Sequence, residues 1–241
     1  MMIGLDRSFK PEWVYKILKL SKPGQRYKDF ESEFNNIIEI QGLKSKKNIM
    51  TIIRRYYLKL YKKNGEEFFD KNYLYGLSIK YSFDTIKPLL LFVLLCRCDV
   101  ARFIQEKINL KYLHNGNIAR QELYISTVQK YGDRRVVKYA VGYYLRILQD
   151  FNILDPNNKE YMWLNKKLDC PGYLLKDMVL LYGAYLNLKE INTQEMVNSI
   201  PFTYITTSEI ENVFREYNST DWAYQKRLNA NRIIIKNKID V

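Results

Sequence analysis

Seven residues between positions 134 and 149 have the types and spacing to recognise a phosphodiester: Arg134, Arg135, Lys138, Tyr139, Gly142, Arg146 and Gln149. At about 100° per residue in a helix, all but Arg134, which precedes them, fall on one side. The other side collects Val137, Val141, Tyr144, Leu145, Leu148 and Phe151. Cations with an amide and a tyrosine suit a helix laid against phosphates and base edges. Gly142 costs about 1 kcal/mol relative to alanine inside a helix, a cost explained by close approach of another surface, either a neighbouring helix or DNA. Asp133 is suited to cap this helix, since its carboxylate can accept from the free N–H groups of the first turn. Arg134 and Arg135 then stand at the positive end of the helix dipole, where a bound phosphate would relieve the repulsion. The competing reading is a basic face held in water or paired with acids elsewhere in the chain.

The elements that must position this stripe read as a helix-turn-helix with a wing. After the turn Asn115-Gly116-Asn117, a helix is predicted over 118–130, a break at Tyr131-Gly132-Asp133, and the basic helix over 134–150. Two strand-like runs, 151–154 and 161–164, flank the turn Asp155-Pro156-Asn157-Asn158. Helix, turn, helix and hairpin in that order is the outline of a winged helix-turn-helix. Lys159, near the wing tip, could reach a phosphate backbone.

Ahead of this unit, the chain reads as a helical bundle over residues 1–113, with helices over 10–20, 27–41, 45–63, 66–81, 84–97 and 99–113. The run Leu89 to Leu95 is apolar all round and marks the buried centre. The 45–63 helix carries a second basic patch, Lys47, Arg54 and Arg55, with Lys62 beside it and Lys44 and Lys46 just before it. Asn64-Gly65 is read as its stop.

Beyond residue 168, helices are expected over 173–188, 193–199 and 208–217, with a terminal hairpin from 222–227 and 232–236. This repeats the winged outline, but the helix in the recognition position carries Glu209, Glu211 and Glu216 against Arg215. Such a helix repels phosphates, so this unit is expected to be structural or protein-binding, with Lys226, Arg227, Arg232 and Lys236 as a wing contact. The fold class is therefore mostly α, an N-terminal helical bundle (1–113) followed by a winged unit (114–168) and a C-terminal helical unit with a terminal hairpin (169–241).

The 241 residues carry 39 Lys+Arg against 26 Asp+Glu, a formal charge of +13. That excess favours polyanionic partners. Three cysteines and one histidine, His114, exclude a conventional structural zinc site. Scattered thiols and the absence of an apolar leader in Met1 to Trp13 point to a reducing, cytoplasmic setting. The longest apolar run is too short to span a bilayer, so no membrane association is expected. There is no G-x-x-x-x-G-K-S/T loop, no G-x-G-x-x-G after a strand and no G-x-S-x-G elbow. The acids are too scattered for a two-metal nuclease. The chain is expected to be non-enzymatic and to use no cofactor or metal.

Three segments together resemble the BrxA family, the small component of BREX phage-exclusion systems: Ser45 to Tyr56, Leu89 to Ile104 and Val136 to Leu154. The resemblance covers most of the chain but rests on apolar periodicity and a few cations. It implies a double-stranded DNA-binding protein that acts beside a methyltransferase, an ATPase and a phosphatase-like protein. Carried over by position, the family's basic helix falls on Arg134, Arg135, Lys138 and Arg146. Asn152 stands where the resemblance leads one to expect a glycine; asparagine also tolerates a left-handed turn. The leading expectation is duplex DNA contact, mainly through phosphates. Alternatives from other classes are an assembly adaptor docking an acidic subunit and an RNA-binding bundle of antitermination type.

Overall fold

The computed structural model describes residues 5–112, 118–155, 164, 167–226, 230–237 and 239–241. His114, Lys159 and most of the expected wing therefore lie outside the described residues. The described chain is mostly helical, with two small antiparallel sheets.

The helix α5 (Phe83–Arg97) lies at the centre, as its uninterrupted apolar surface requires. Leu89 to Leu95 are at most 1% exposed. Helices α1 (Pro11–Leu20), α3 (Leu43–Tyr57), α4 (Tyr73–Lys80), α6 (Asp99–Tyr112) and α9 (Gly172–Tyr185) pack around it, with a 3-10 turn at Ile200–Phe202. Ser82 caps α5 by accepting from the Thr85 N–H, which fixes where the helix starts. Tyr57 of α3 donates its hydroxyl to the Leu90 carbonyl at 2.9 Å, so even the polar tip facing α5 is satisfied. One continuous core runs from Leu5 to Ile233.

Helices α6, α7 (Arg120–Tyr131) and α8 (Arg135–Asp150) pack mutually as a three-helix unit. Gly132, at φ 83°, makes the turn between α7 and α8 in the left-handed region that glycine takes without strain. The apolar stripe of α8 expected from the sequence is buried throughout: Val137, Val141, Tyr144, Leu145, Leu148 and Phe151 are at most 1% exposed. Buried Gln105 of α6 accepts from the hydroxyls of Tyr144 (2.7 Å) and Tyr204, and donates to Asn109 at 2.6 Å. Asn109 in turn donates to Thr203 at 2.9 Å. This chain of hydrogen bonds fixes the rotation of α8 against α6.

Several local expectations are corrected. The helix expected over 27–41 is a 3-10 turn (Tyr27–Phe30) followed by α2, Glu31–Ile37. The helix expected over 45–63 ends at Tyr57, where Leu58 turns extended (φ −103°, ψ 151°). Strand β1 (Leu60–Lys63) then pairs with β2 (Glu66–Phe69), which replaces the first turns of the helix expected over 66–81. Asn64 and Gly65, both at positive φ (52° and 79°), form the two-residue hairpin turn that this dipeptide favours. They reverse a strand and do not stop a helix.

The residues 151–154, expected as a strand, are a turn with Asn152 at φ 61°; one rung, from the Leu164 N–H to the Ile153 carbonyl at 3.2 Å, is described. Asp133 does not cap α8. Arg134 holds the cap position with extended backbone and no side-chain cap, and the Asp133 carboxylate pairs with Lys138 instead.

In the C-terminal part, α9 is followed by β3 (Glu190–Asn192), α10 (Thr193–Val197) and α11 (Ile210–Glu216). The terminal hairpin β4 (Trp222–Gln225) and β5 (Arg232–Ile235) forms as expected, and β3 adds an unforeseen third strand, in the order β3-β5-β4. Asp177 of α9, 1% exposed, ties this part to α4 by accepting from Tyr73 at 2.7 Å. Its charge is matched by Lys176 at 3.2 Å.

The Gln105 node is directly testable. Gln105→Met keeps the volume but removes the acceptor that two buried tyrosine hydroxyls share, and a buried polar group that loses its partner costs about 1–3 kcal/mol. Urea unfolding is expected to show a loss of about 2–4 kcal/mol. A loss no larger than that of Tyr144→Phe would mean the node carries no more than one ordinary hydrogen bond.

Candidate nucleic-acid interface

The α8 stripe divides into two parts with different surroundings. Arg134, Arg135 and Lys138, at the start of the helix, are exposed at the corner between α7 and α8. Arg134 and Arg135 make no ion pair or side-chain hydrogen bond among the described residues, whereas Lys138 pairs with Asp133 at 3.0 Å. That carboxylate raises the Lys138 pKa, so the lysine stays charged but shares its charge locally. No acid occupies the first turn of α8 to balance the arginines.

Further along, Tyr139, Gly142, Tyr143, Arg146 and Asp150 form one wall of an open cleft of about 450 Å³. The opposite wall comes from Arg7 to Lys10, Trp13 of α1, and Ser45 and Ile49 at the start of α3. Arg120, the exposed first residue of α7, also lines the cleft. The surface whose close approach explains Gly142 is this guanidinium: a Cβ at position 142 would lie 2.9 Å from Arg120 Nη2. Arg7 donates to the Tyr143 hydroxyl at 2.7 Å and lies over its ring at 5.7 Å. Lys10 lies over the Trp13 ring at the same distance.

Gln149, expected on the recognition face, is half-buried and donates to the Asp155 carbonyl at 3.0 Å, holding the turn after α8. The second basic patch is partly spent on packing. Lys47 is exposed on α3, but Arg54 pairs with Glu67 of β2 and lies over the Tyr27 ring at 5.1 Å. Arg55 lies over the Tyr56 ring at 5.9 Å, and Lys46 donates to the Asn35 carbonyl. Of the wing cations expected in the C-terminal unit, Arg232 pairs with Glu190 and Lys236 donates to the Ser219 carbonyl at 2.8 Å, while Arg227 lies outside the described residues.

Sequence reasoning missed Arg7, Lys10 and Arg120 as members of one site. They belong to segments that periodicity marks only as packing, and Arg7 meets α8 at Tyr143, 136 positions along the chain.

Among the described residues, no group of histidine, cysteine, aspartate and glutamate could hold a metal ion, and no helix is long and apolar enough to cross a membrane. No protein-family model, curated protein or solved structure matches the chain.

Asp150 is the acid in the cleft. Burial pushes its pKa up from 3.8 to about 6, against the opposing pull of Arg146, Lys10 and Lys87, with Glu12 adding to the rise. Between those two values the folded chain holds a proton that the unfolded chain has released, so stability falls as pH rises through that window. Asp150→Asn is therefore expected to raise Tm at about pH 7.5, with the gain vanishing by about pH 4. A gain independent of pH would show that the carboxyl is not held against its charge.

Proposed function

We propose that this chain is a non-enzymatic DNA-binding protein that contacts duplex DNA mainly through phosphates, as its resemblance to the BrxA family of BREX phage-exclusion systems implies. The observation that carries the reading is the α7–α8 corner, where Arg134 and Arg135 stand exposed at the positive end of a helix with no ion pair among the described residues. Leaving two adjacent guanidiniums there without a carboxylate is unfavourable for the free protein and favourable once a phosphate arrives. The mutual packing of α6, α7 and α8, with a tight glycine turn before the basic helix, supports a helix-turn-helix reading. Base reading has little support, because Gln149 is engaged with Asp155 and the remaining cations suit phosphate oxygens.

The C-terminal part supports a second role in the same protein. Its order α9, β3, α10, α11, β4, β5 with the sheet arranged β3-β5-β4 supports a winged-helix reading. In the position of a recognition helix, α11 exposes Glu209, Glu211 and Glu216. Glu211 accepts from the Tyr224 hydroxyl at 2.8 Å, which fixes the carboxylate at the surface. A negative helix on this scaffold suits a basic protein surface, so the unit reads as an adaptor and not as a second DNA contact.

Fluorescence anisotropy with a random-sequence duplex at several salt concentrations tests the reading. Arg134→Glu with Arg135→Glu is expected to weaken binding at least about tenfold and to reduce the salt slope by about 2, with the thermal melt unchanged. Lys138→Ala, whose charge is already shared with Asp133, should have a smaller effect. Unchanged affinity and slope in the double variant would remove this corner from the interface. Binding partners that survive nuclease treatment in a pull-down, and are lost in Glu209→Lys with Glu211→Lys, would identify the adaptor surface.

A further inference from the structure

The cleft along the second half of α8 gathers a set of cations separate from those of the exposed corner. Four basic residues, Arg7, Lys10, Arg120 and Arg146, line it against the single acid Asp150. Arg120 and Arg146 make no ion pair or hydrogen bond among the described residues. Two guanidiniums thus share one concave space with Asp150 as the acid in its lining. Gly142 lets the Arg120 guanidinium lie close against α8, since a Cβ there would come within 2.9 Å of its Nη2.

Aromatic faces stand beside these cations. Tyr139 is 48% exposed, unusual for a ring of its size, and packs 6.1 Å from Tyr143 at 35° between the planes. Trp13 contributes to the facing wall. Flat rings beside guanidinium groups are the combination that holds a nucleic-acid base by stacking and its phosphate by charge. A volume of about 450 Å³ falls in the range of small-molecule sites. Inorganic phosphate alone would leave most of that space and all of the aromatic surface unused.

We propose that this cleft is a mononucleotide site, with the phosphate held among Arg120, Arg146 and Arg7 and the base against the exposed ring of Tyr139. Asp150 offers the same space a carboxyl group able to accept from the amino group of a base. The site goes beyond duplex contact and stands apart from it, since the cleft residues differ from the exposed corner at Arg134 and Arg135. The nucleotide unit has two sources, a free nucleotide or an unpaired residue of a bound strand, and both present the same chemistry.

Isothermal titration with deoxyadenosine monophosphate, deoxyadenosine, inorganic phosphate and a short single-stranded oligonucleotide tests the proposal without any duplex. The monophosphate is expected to bind in the micromolar range, more tightly than either deoxyadenosine or phosphate. Arg146→Ala and Tyr139→Ala should each weaken it about tenfold, and Gly142→Leu, which displaces Arg120, should abolish it. Arg146 and Tyr139 are exposed, so their variants report on the cleft even if Gly142→Leu does not fold. An oligonucleotide that binds more tightly than the monophosphate and is weakened by the same variants identifies the strand as the source; equal affinities identify the free nucleotide. Phosphate binding as tightly as the monophosphate, no binding of the monophosphate at millimolar concentration, or equal binding by the wild type and the Arg146→Ala and Tyr139→Ala variants would each overturn the proposal.

Discussion

A helix with no polar face can exist in water only if it is covered on every side, and α5 imposes that condition on the whole molecule. From Leu89 to Cys96 no side chain of this helix has a solvent-facing alternative. Elements from both ends of the chain supply the cover: α1 and α3 from the beginning, α9 and the turn at Ile200–Phe202 from near the end. The N-terminal bundle and the C-terminal unit therefore share one core. Phe202, which stacks edge-on against Phe92 at 5.1 Å, is as much part of the bundle as any residue of α1. This is the ordinary consequence of the hydrophobic effect acting on a segment too apolar to lie at a surface.

Where apolar burial decides that elements meet, the buried polar groups decide how. Gln105 and Asp177 each collect tyrosine hydroxyls from a different part of the chain, and neither tolerates sliding or rotation of its partners. A buried amide or carboxylate left without those partners would cost far more than a misplaced methyl group. The basic face of α8 therefore points outward because Tyr144, on its opposite side, is held at Gln105. The orientation of the surface follows from a hydrogen bond in the core.

The limits of the sequence follow the same division between local and distant interactions. The apolar stripe of α8 and the all-round apolar surface of α5 are properties of single segments, and periodicity reads them directly. The hairpin β1–β2 was hidden because Leu60 to Lys63 continues a plausible helical pattern and Asn64-Gly65 ends a helix as readily as it reverses a strand. What distinguishes the two is the partner strand, with Lys62 opposite Glu67 and Lys63 opposite Glu66. One cation expected on α3 is answered from that strand too, since Glu67 takes Arg54, while Glu66 takes Arg26 from the segment before α2. The cleft was illegible for the same reason: Arg7, Arg120 and Arg146 acquire a common meaning only through folding.

Gly142 and Arg120 have a consequence for how chains of this kind can diverge. In an open helix, exchanging glycine for alanine is favourable by about 1 kcal/mol, so drift alone would remove the glycine. Here the extra methyl group would meet the far end of an exposed guanidinium from another helix, which can swing aside into water. Alanine would therefore gain in the helix and lose only the placement of one cation, although 22 positions separate the two residues in the chain. The glycine is cheap to replace for stability, and what its replacement changes is where the Arg120 charge sits.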